Sequence, residues 1–150
     1  MDKLYERIYN SFSKQNFLTL IGATLERVEK GSVQISCQRK EMLTQQQGLL
    51  HGGVVTTIAD VTCGYTALTM IPEDQEVLSV EFKINLLRAV RGEKIVATGH
   101  VVKAGRSLVI TEAEVVDADS GSLVAKMLAT MIPSPIPIAV PDSSAVTAED

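Results

Sequence analysis

From Gln45 to Met70 the chain reads QQQGLLHGGVVTTIADVTCGYTALTM, and this stretch decides the fold. Val54, Ile58, Val61, Tyr65 and Leu68 recur three and four residues apart, with Ala, Thr and Gly between them, which is the period of a helix. Asp60 is its only acidic residue from His51 onward, so the helix is expected to be buried, with Pro72 ending it.

On either side of this helix the period changes. Upstream, Leu4, Ile8 and Phe12 fall four apart among charged residues, which predicts an amphipathic helix over Asp2–Phe12. Leu18–Glu29 reads as a strand and Lys30-Gly31-Ser32 as a turn. Val33, Ile35 and Cys37 then alternate with polar residues as in a half-buried strand. Downstream, Leu78, Val80, Phe82, Ile84 and Leu86 alternate with polar residues in a clean period of two. Apolar-rich runs follow over Lys94–Lys103, Ser107–Asp117 and Leu123–Ile132, joined by Lys103-Ala104-Gly105-Arg106 and Asp117-Ala118-Asp119-Ser120-Gly121, which have hairpin composition. These last strands are expected to form an antiparallel meander. The order predicts an α+β fold, one antiparallel sheet wrapped on a long central helix behind an N-terminal helix. Doubly wound nucleotide-binding folds need repeated strand–helix alternation and a glycine-rich phosphate loop; the sequence has neither. Residues 133–150 hold four of the five prolines and three acids without a base, and are expected to be a flexible tail behind a domain of residues 1–132.

A chain of 150 residues suits one domain. Its 18 acidic residues against 14 basic ones give a net charge of −4, which argues against nucleic-acid or anionic-membrane partners recruited by overall charge. Between Lys83 and Arg106, however, six basic residues face only Glu93, a local balance of +5 that suits a small polyphosphorylated ligand. The two cysteines, Cys37 and Cys63, make no disulfide framework and fit a reducing compartment. No run approaches the ~18 apolar residues of a membrane span, and the opening MDKLYERIYNSF is unlike a leader peptide, so a cytoplasmic protein is expected.

Chemistry points first to Asp60. Its helical neighbours Thr56, Thr57, Cys63 and Gly64 offer no positive partner, so the carboxylate either reaches a cleft or has a role, and an apolar setting raises its pKa. At the start of the same helix, His51-Gly52-Gly53 brings backbone N–H groups without intrahelical partners to the positive end of the dipole, where they suit a developing oxyanion. The alternatives are a solvent-seeking acid and a plain glycine loop. Gly52 and Asp60 lie eight residues apart, about 12 Å along a helix axis, too far to touch one carbonyl from one chain. If both serve one substrate, two chains must share each site across a two-fold axis. Cys63 sits mid-helix among apolar residues and reads as core packing. His51 and His100, the only histidines, have no acidic cluster beside them, so no metal site is expected.

The run Gln45 to Gly53 with its acid at Asp60 resembles the hotdog-fold acyl-CoA thioesterases, of the phenylacetic-acid-degradation type and the related 4-hydroxybenzoyl-CoA thioesterases. The likeness spans Asn16–Ile132 and includes Ser79–Asn85, Leu87–Glu93 and Lys103–Ser107. It implies that the Gly52 amide polarises the thioester carbonyl and that Asp60 of a partner subunit attacks or activates water. Gln45 would place the thioester or the water, and His51 would support the loop. The resemblance also implies that Ser79 assists near the water, and that Arg88, Lys103, Gly105, Arg106 and Ser107 lie where coenzyme A binds. It implies a homodimer or a dimer of dimers and no cofactor, coenzyme A being part of the substrate. The chain combines glutamine at position 45 with aspartate at 60, where the family's aspartate branch usually has asparagine with the aspartate; nucleophilic and general-base roles for Asp60 both stay open. A non-catalytic acyl-CoA sensor on this fold would keep the basic patch without needing Asp60. A hydratase would need a His/Asp pair that is not apparent in the sequence.

Overall fold

The computed structural model describes residues 2–135. Helix α1 (Lys3–Phe12) begins at Asp2, whose carboxylate accepts from the Leu4 N–H at 3.1 Å, and buries Ile8 and Phe12. Helix α2 (Asn16–Ile21) follows, then strands β1 (Ala23–Glu29) and β2 (Ser32–Gln38). The long helix α3 (Gly52–Leu68) precedes β3 (Gln75–Leu86), β4 (Lys94–Ala104), β5 (Val109–Asp117) and β6 (Leu123–Pro135). All neighbouring strands pair antiparallel, in the order β1-β2-β4-β5-β6-β3.

The expected α+β architecture is the one found, with four adjustments. Residues 18–21, read as strand, belong to α2. Leu18 and Ile21, three apart, are both buried, and Gly22 ends the turn at φ 76°, a left-handed cap that leaves Ala23 to start the strand. The meander comprises β4, β5 and β6 only, while β3 pairs with β6 at the sheet edge. The stretch Leu87–Glu93 therefore carries the chain from that edge back to the middle of the sheet. Helix α3 stops at Leu68, capped at Thr69, before Pro72 is reached. Strand β6 continues to Pro135, pairing Val77 with Pro133 and Gln75 with Pro135, three residues past the expected domain boundary. The remaining expected tail, residues 136–150, lies outside the described residues.

Helix α3 crosses the concave face of the sheet and buries Val55, Ile58, Ala59, Thr62, Cys63 and Thr66, with Val54 and Val61 only partly covered. The crossing is close at Gly99 of β4, where an added Cβ would overlap the Thr66 hydroxyl and stand 3.1 Å from the Thr62 carbonyl oxygen. Arg7 fastens α1 to the far end of α3. Its guanidinium donates to the carbonyls of Leu68 (3.2 Å), Ile71 (3.0 Å), Pro72 (2.7 Å) and Gln75 (2.8 Å).

Strand β3 is different from the other strands. Phe82 and Leu86 pair with the fully buried Ala129 and Ala125 and so point to the helix side of the sheet, yet they remain 41% and 54% exposed. Beyond β3 no strand of the described residues continues the sheet. An apolar half-face and an open edge thus lie side by side.

Candidate active site

The start of α3 is organised by His51. Its Nδ1 accepts from the Gly53 N–H at 2.8 Å, its carbonyl accepts from Val54 at 3.0 Å, and its own N–H donates to the Leu43 carbonyl at 2.9 Å. Because Nδ1 is an acceptor, a neutral His51 carries its proton on Nε2. These bonds occupy the first N–H groups of the helix except one: Gly52 N–H donates to no acceptor among the described residues. It points from the positive end of a 17-residue helix. A cavity of about 310 Å³ opens there, lined by Gln45, Gly52, Leu86, Arg88 and Val90 among others. The Gln45 side chain is tied into its own turn. Its Oε1 accepts from the Gln47 N–H, and its Nε2 donates to Gln47 Oε1 at 3.3 Å.

Asp60 projects from α3 two turns further on. Its Oδ1 accepts from the Ser79 hydroxyl at 2.9 Å, and no cation pairs with it among the described residues. Burial pushes its pKa above the ordinary aspartate value, and the Ser79 hydrogen bond offsets part of that rise. Beside it lies a cavity of about 260 Å³. Val61, Gly64, Leu68 and Val77 give it apolar walls. Tyr65 closes one end, its hydroxyl accepting from Gln15 Nε2 at 2.6 Å and lying 3.3 Å from Ser11 Oγ. The N-terminal helical segment thus contributes to this cavity. That contribution left no sign in the sequence, where Tyr65 reads only as a core position.

The expected site residues divide between two ends of the molecule. Gly52 approaches Leu86, the last residue of β3, and Gln45, His51 and Arg88 lie at that end. Asp60 meets Ser79 in the first half of β3. The register Ser79↔Met131↔Val109 then places the β4–β5 hairpin, with Lys103, Gly105, Arg106 and Ser107, at the Asp60 end. Arg88 donates its N–H to the Val124 carbonyl at the other end of β6, seven residues from Met131, or about 23 Å along the strand. One chain does not bring Gly52 and Asp60 together. It keeps each beside its own part of the basic segment.

Cys63 is fully buried and its pKa is pushed up to about 12 by desolvation, so its thiol stays protonated and packs as core. Among the described residues no group of three His, Cys, Asp or Glu side chains is placed to hold a metal ion. No helix among the described residues is long and apolar enough to cross a membrane. Arg39, unremarkable in the sequence, bridges two loops of the site, donating to the Gly48 carbonyl at 3.0 Å and pairing with Glu93 at 3.3 Å.

Six antiparallel strands curled round one long helix, with a free N–H at the helix start and a desolvated carboxylate two turns later, define a hotdog-fold protein. Residues 47–124 match the sequence profile of the thioesterase superfamily. The chain belongs to that superfamily and is a thioester hydrolase. It is similar to human acyl-coenzyme A thioesterase 13, with 31% identity over 114 residues, 75% of this chain and 81% of the relative. The crystal structure of a thioesterase family protein from Silicibacter pomeroyi superimposes with a TM-score of 0.84 at 34% identity, covering 88% of this chain and 98% of the other. The Escherichia coli PaaI protein from the phenylacetic acid degradation operon shares the fold alone, with a TM-score of 0.81 at 15% identity over 88% of this chain and 94% of its own.

Proposed function

We propose that this protein hydrolyses acyl-coenzyme A thioesters as a homodimer, each site combining the Gly52 end of one chain with the Asp60 end of the other. The separation of those two ends carries the reading. Ser79 marks the Asp60 end of β3 and Leu86 marks the Gly52 end. The bulge between Ser79 and Glu81 takes one residue out of the register, so a two-fold axis midway falls at Lys83; it would pair the open β3 edges antiparallel and set each chain's Ser79 opposite Leu86 of the partner subunit. That arrangement covers the exposed Phe82 and Leu86 and places Asp60 opposite the free Gly52 N–H of the other chain. It also joins Arg88 of one chain to the Lys103–Ser107 hairpin of the other.

In such a site the thioester carbonyl oxygen accepts from Gly52 N–H, strengthened by the α3 dipole as negative charge develops. Asp60, made more basic by burial and held by Ser79, takes a proton from water as the water oxygen adds to the carbonyl carbon. Collapse of the tetrahedral intermediate breaks the C–S bond and releases a thiolate, which is then protonated. Direct attack by the carboxylate, with water cleaving the resulting anhydride, uses the same geometry. The acyl group occupies the cavity walled by Val61, Gly64 and Leu68. The names of the relatives support coenzyme A as the leaving group, as does the positive segment on both sides of the site.

Thiol release from a panel of aromatic and aliphatic acyl-CoAs tests this reading. Wild type should turn over at least one class, and Asp60→Asn should lower kcat by ~100-fold or more, since it removes the base while keeping the Ser79 contact. Unchanged turnover in Asp60→Asn refutes the role of Asp60. Tight acyl-CoA binding without turnover across the panel assigns a sensor instead.

A further inference from the structure

Asp117, at the end of β5, is 4% exposed and is the only buried charged residue among the described residues. Each of its oxygens serves a different segment. Oδ2 accepts from the N–H groups of Arg91 (3.3 Å) and Gly92 (2.9 Å), and Oδ1 from those of Asp119 (3.0 Å) and Ser120 (3.4 Å). Burial alone would raise its pKa, but four converging N–H donors outweigh that and hold the carboxyl below its ordinary value. The fit is tight, for a Cβ on Gly92 would overlap Asp117 Oδ1 and stand 2.6 Å from Asp119 Oδ2. Asp119 in turn accepts from the Glu93 N–H at 2.8 Å, and Arg39 ties Glu93 to Gly48 in the turn that carries Gln45.

The segment clamped in this way bears Arg88 and Arg91, both exposed and without an acidic partner within salt-bridge distance among the described residues. A cavity of about 650 Å³ lies between these arginines and the Asp119–Ser122 turn. It shares Arg88, Ala89 and Val124 with the cavity beside Gly52, so one groove runs from the carbonyl-polarising N–H to the two guanidinium groups. We infer that Asp117 is a positioning residue, which by clamping Arg91 and Gly92 sets Arg88 and Arg91 where the phosphates of a coenzyme A substrate enter the groove. The inference rests on the acyl-coenzyme A reading above. Asp117 acts only through the loop, since its oxygens are filled by main-chain donors.

The replacement Asp117→Asn isolates the clamp. A carboxamide has one acceptor oxygen and an NH₂ donor, so in either orientation one pair of N–H groups faces another donor and is released. Gly92→Ala perturbs the same contact from the loop side and leaves Asp117 in place. Each variant is compared with wild type on an acyl-CoA and on the matching acyl-pantetheine, which keeps the thioester but lacks the nucleotide and its phosphates. For both variants KM for acyl-CoA should rise on the order of tenfold with kcat little changed, while KM for acyl-pantetheine stays within about twofold. Equal effects on the two substrates, or none, overturn the inference. If Asp117→Asn does not fold, Gly92→Ala decides the outcome. Arg88→Ala separates the two levels. If it fails to discriminate between the substrates, the phosphate groove itself is wrong; if it discriminates while Asp117→Asn and Gly92→Ala do not, only the positioning role falls.

Discussion

Replacing Gly52 by proline deletes one hydrogen-bond donor and little else. Gly52 is the first residue of α3, the helical position where proline is favoured because its missing N–H has no intrahelical partner. His51 already has φ −63° and ψ 135°, inside the extended region that a following proline requires. The nearest atom to an added Cβ is Leu86 Cδ1 at 3.1 Å, the far end of a flexible side chain rather than backbone. Gly52→Pro should therefore fold and melt much like wild type. Loss of a single oxyanion donor should nevertheless lower kcat by roughly 10²–10³-fold. A variant that retains full turnover would show that this N–H does not polarise the carbonyl.

The same variant tests whether the site is shared. In a dimer formed from one Gly52→Pro chain and one Asp60→Asn chain, one site receives an intact Gly52 and an intact Asp60, while the other receives both lesions. Heterodimers isolated with two different affinity tags should then show about half the wild-type activity per dimer, although each parent homodimer is nearly inactive. Sites contained within one chain predict the opposite, because every chain in the mixture carries a lesion. A heterodimer no more active than its parents refutes the shared geometry.

Because burial raises the Asp60 pKa, the acid limb of kcat/KM should fall above the ordinary aspartate value of about 3.9, and a limb at or below it would contradict a desolvated base. The stability sign agrees: the folded state holds the Asp60 proton more tightly than the unfolded chain. Ionisation thus costs stability as pH rises from the unfolded pKa through the folded one, and Asp60→Asn should be more stable than wild type at neutral pH and lose that advantage in acid. Arg7→Ala removes four guanidinium hydrogen bonds to the end of α3 and the lead-in to β3, and should cost about 3 kcal/mol by denaturant titration. A loss below about 0.5 kcal/mol, the scale of an ordinary surface substitution, would show that the clasp contributes nothing.

What the sequence displays is periodicity and isolation. The period of Val54 to Leu68 locates α3, and Asp60 stands out as the one acid in that run. Where local pattern is ambiguous the reading failed. Phe17-Leu18 and Leu20-Ile21 are apolar pairs with neither a strand's alternation nor the length of a full amphipathic helix, and the left-handed cap at Gly22 settled them as a turn and a half of helix. The place of β3 was hidden for a different reason. Its alternation says that one face is covered, not by what, and pairing with β6 closes a loop of some 40 residues that no local signal records. Arg7, Arg39 and Asp117 were invisible because most of their partners are main-chain groups, which carry no residue identity for a pattern to show.

The eight residues between Gly52 and Asp60 become more informative once the strand beside them is known. From spacing alone, a second chain was one way to make both groups useful, and a role for only one of them was the other. The structure adds three features that depend on the same axis. Strand β3 runs along α3 with Ser79 at one group and Leu86 at the other; among the described residues its outer edge is unpaired and its helix-side residues Phe82 and Leu86 are uncovered. The positive segment is divided in the same sense, with Arg88 at the Gly52 end and Lys103–Ser107 at the Asp60 end. A single two-fold operation at Lys83 would satisfy edge, apolar face, catalytic pair and phosphate-binding charges together. An active monomer would have to leave all four unmatched, so the oligomeric state and the chemistry of this site stand or fall on the same measurement.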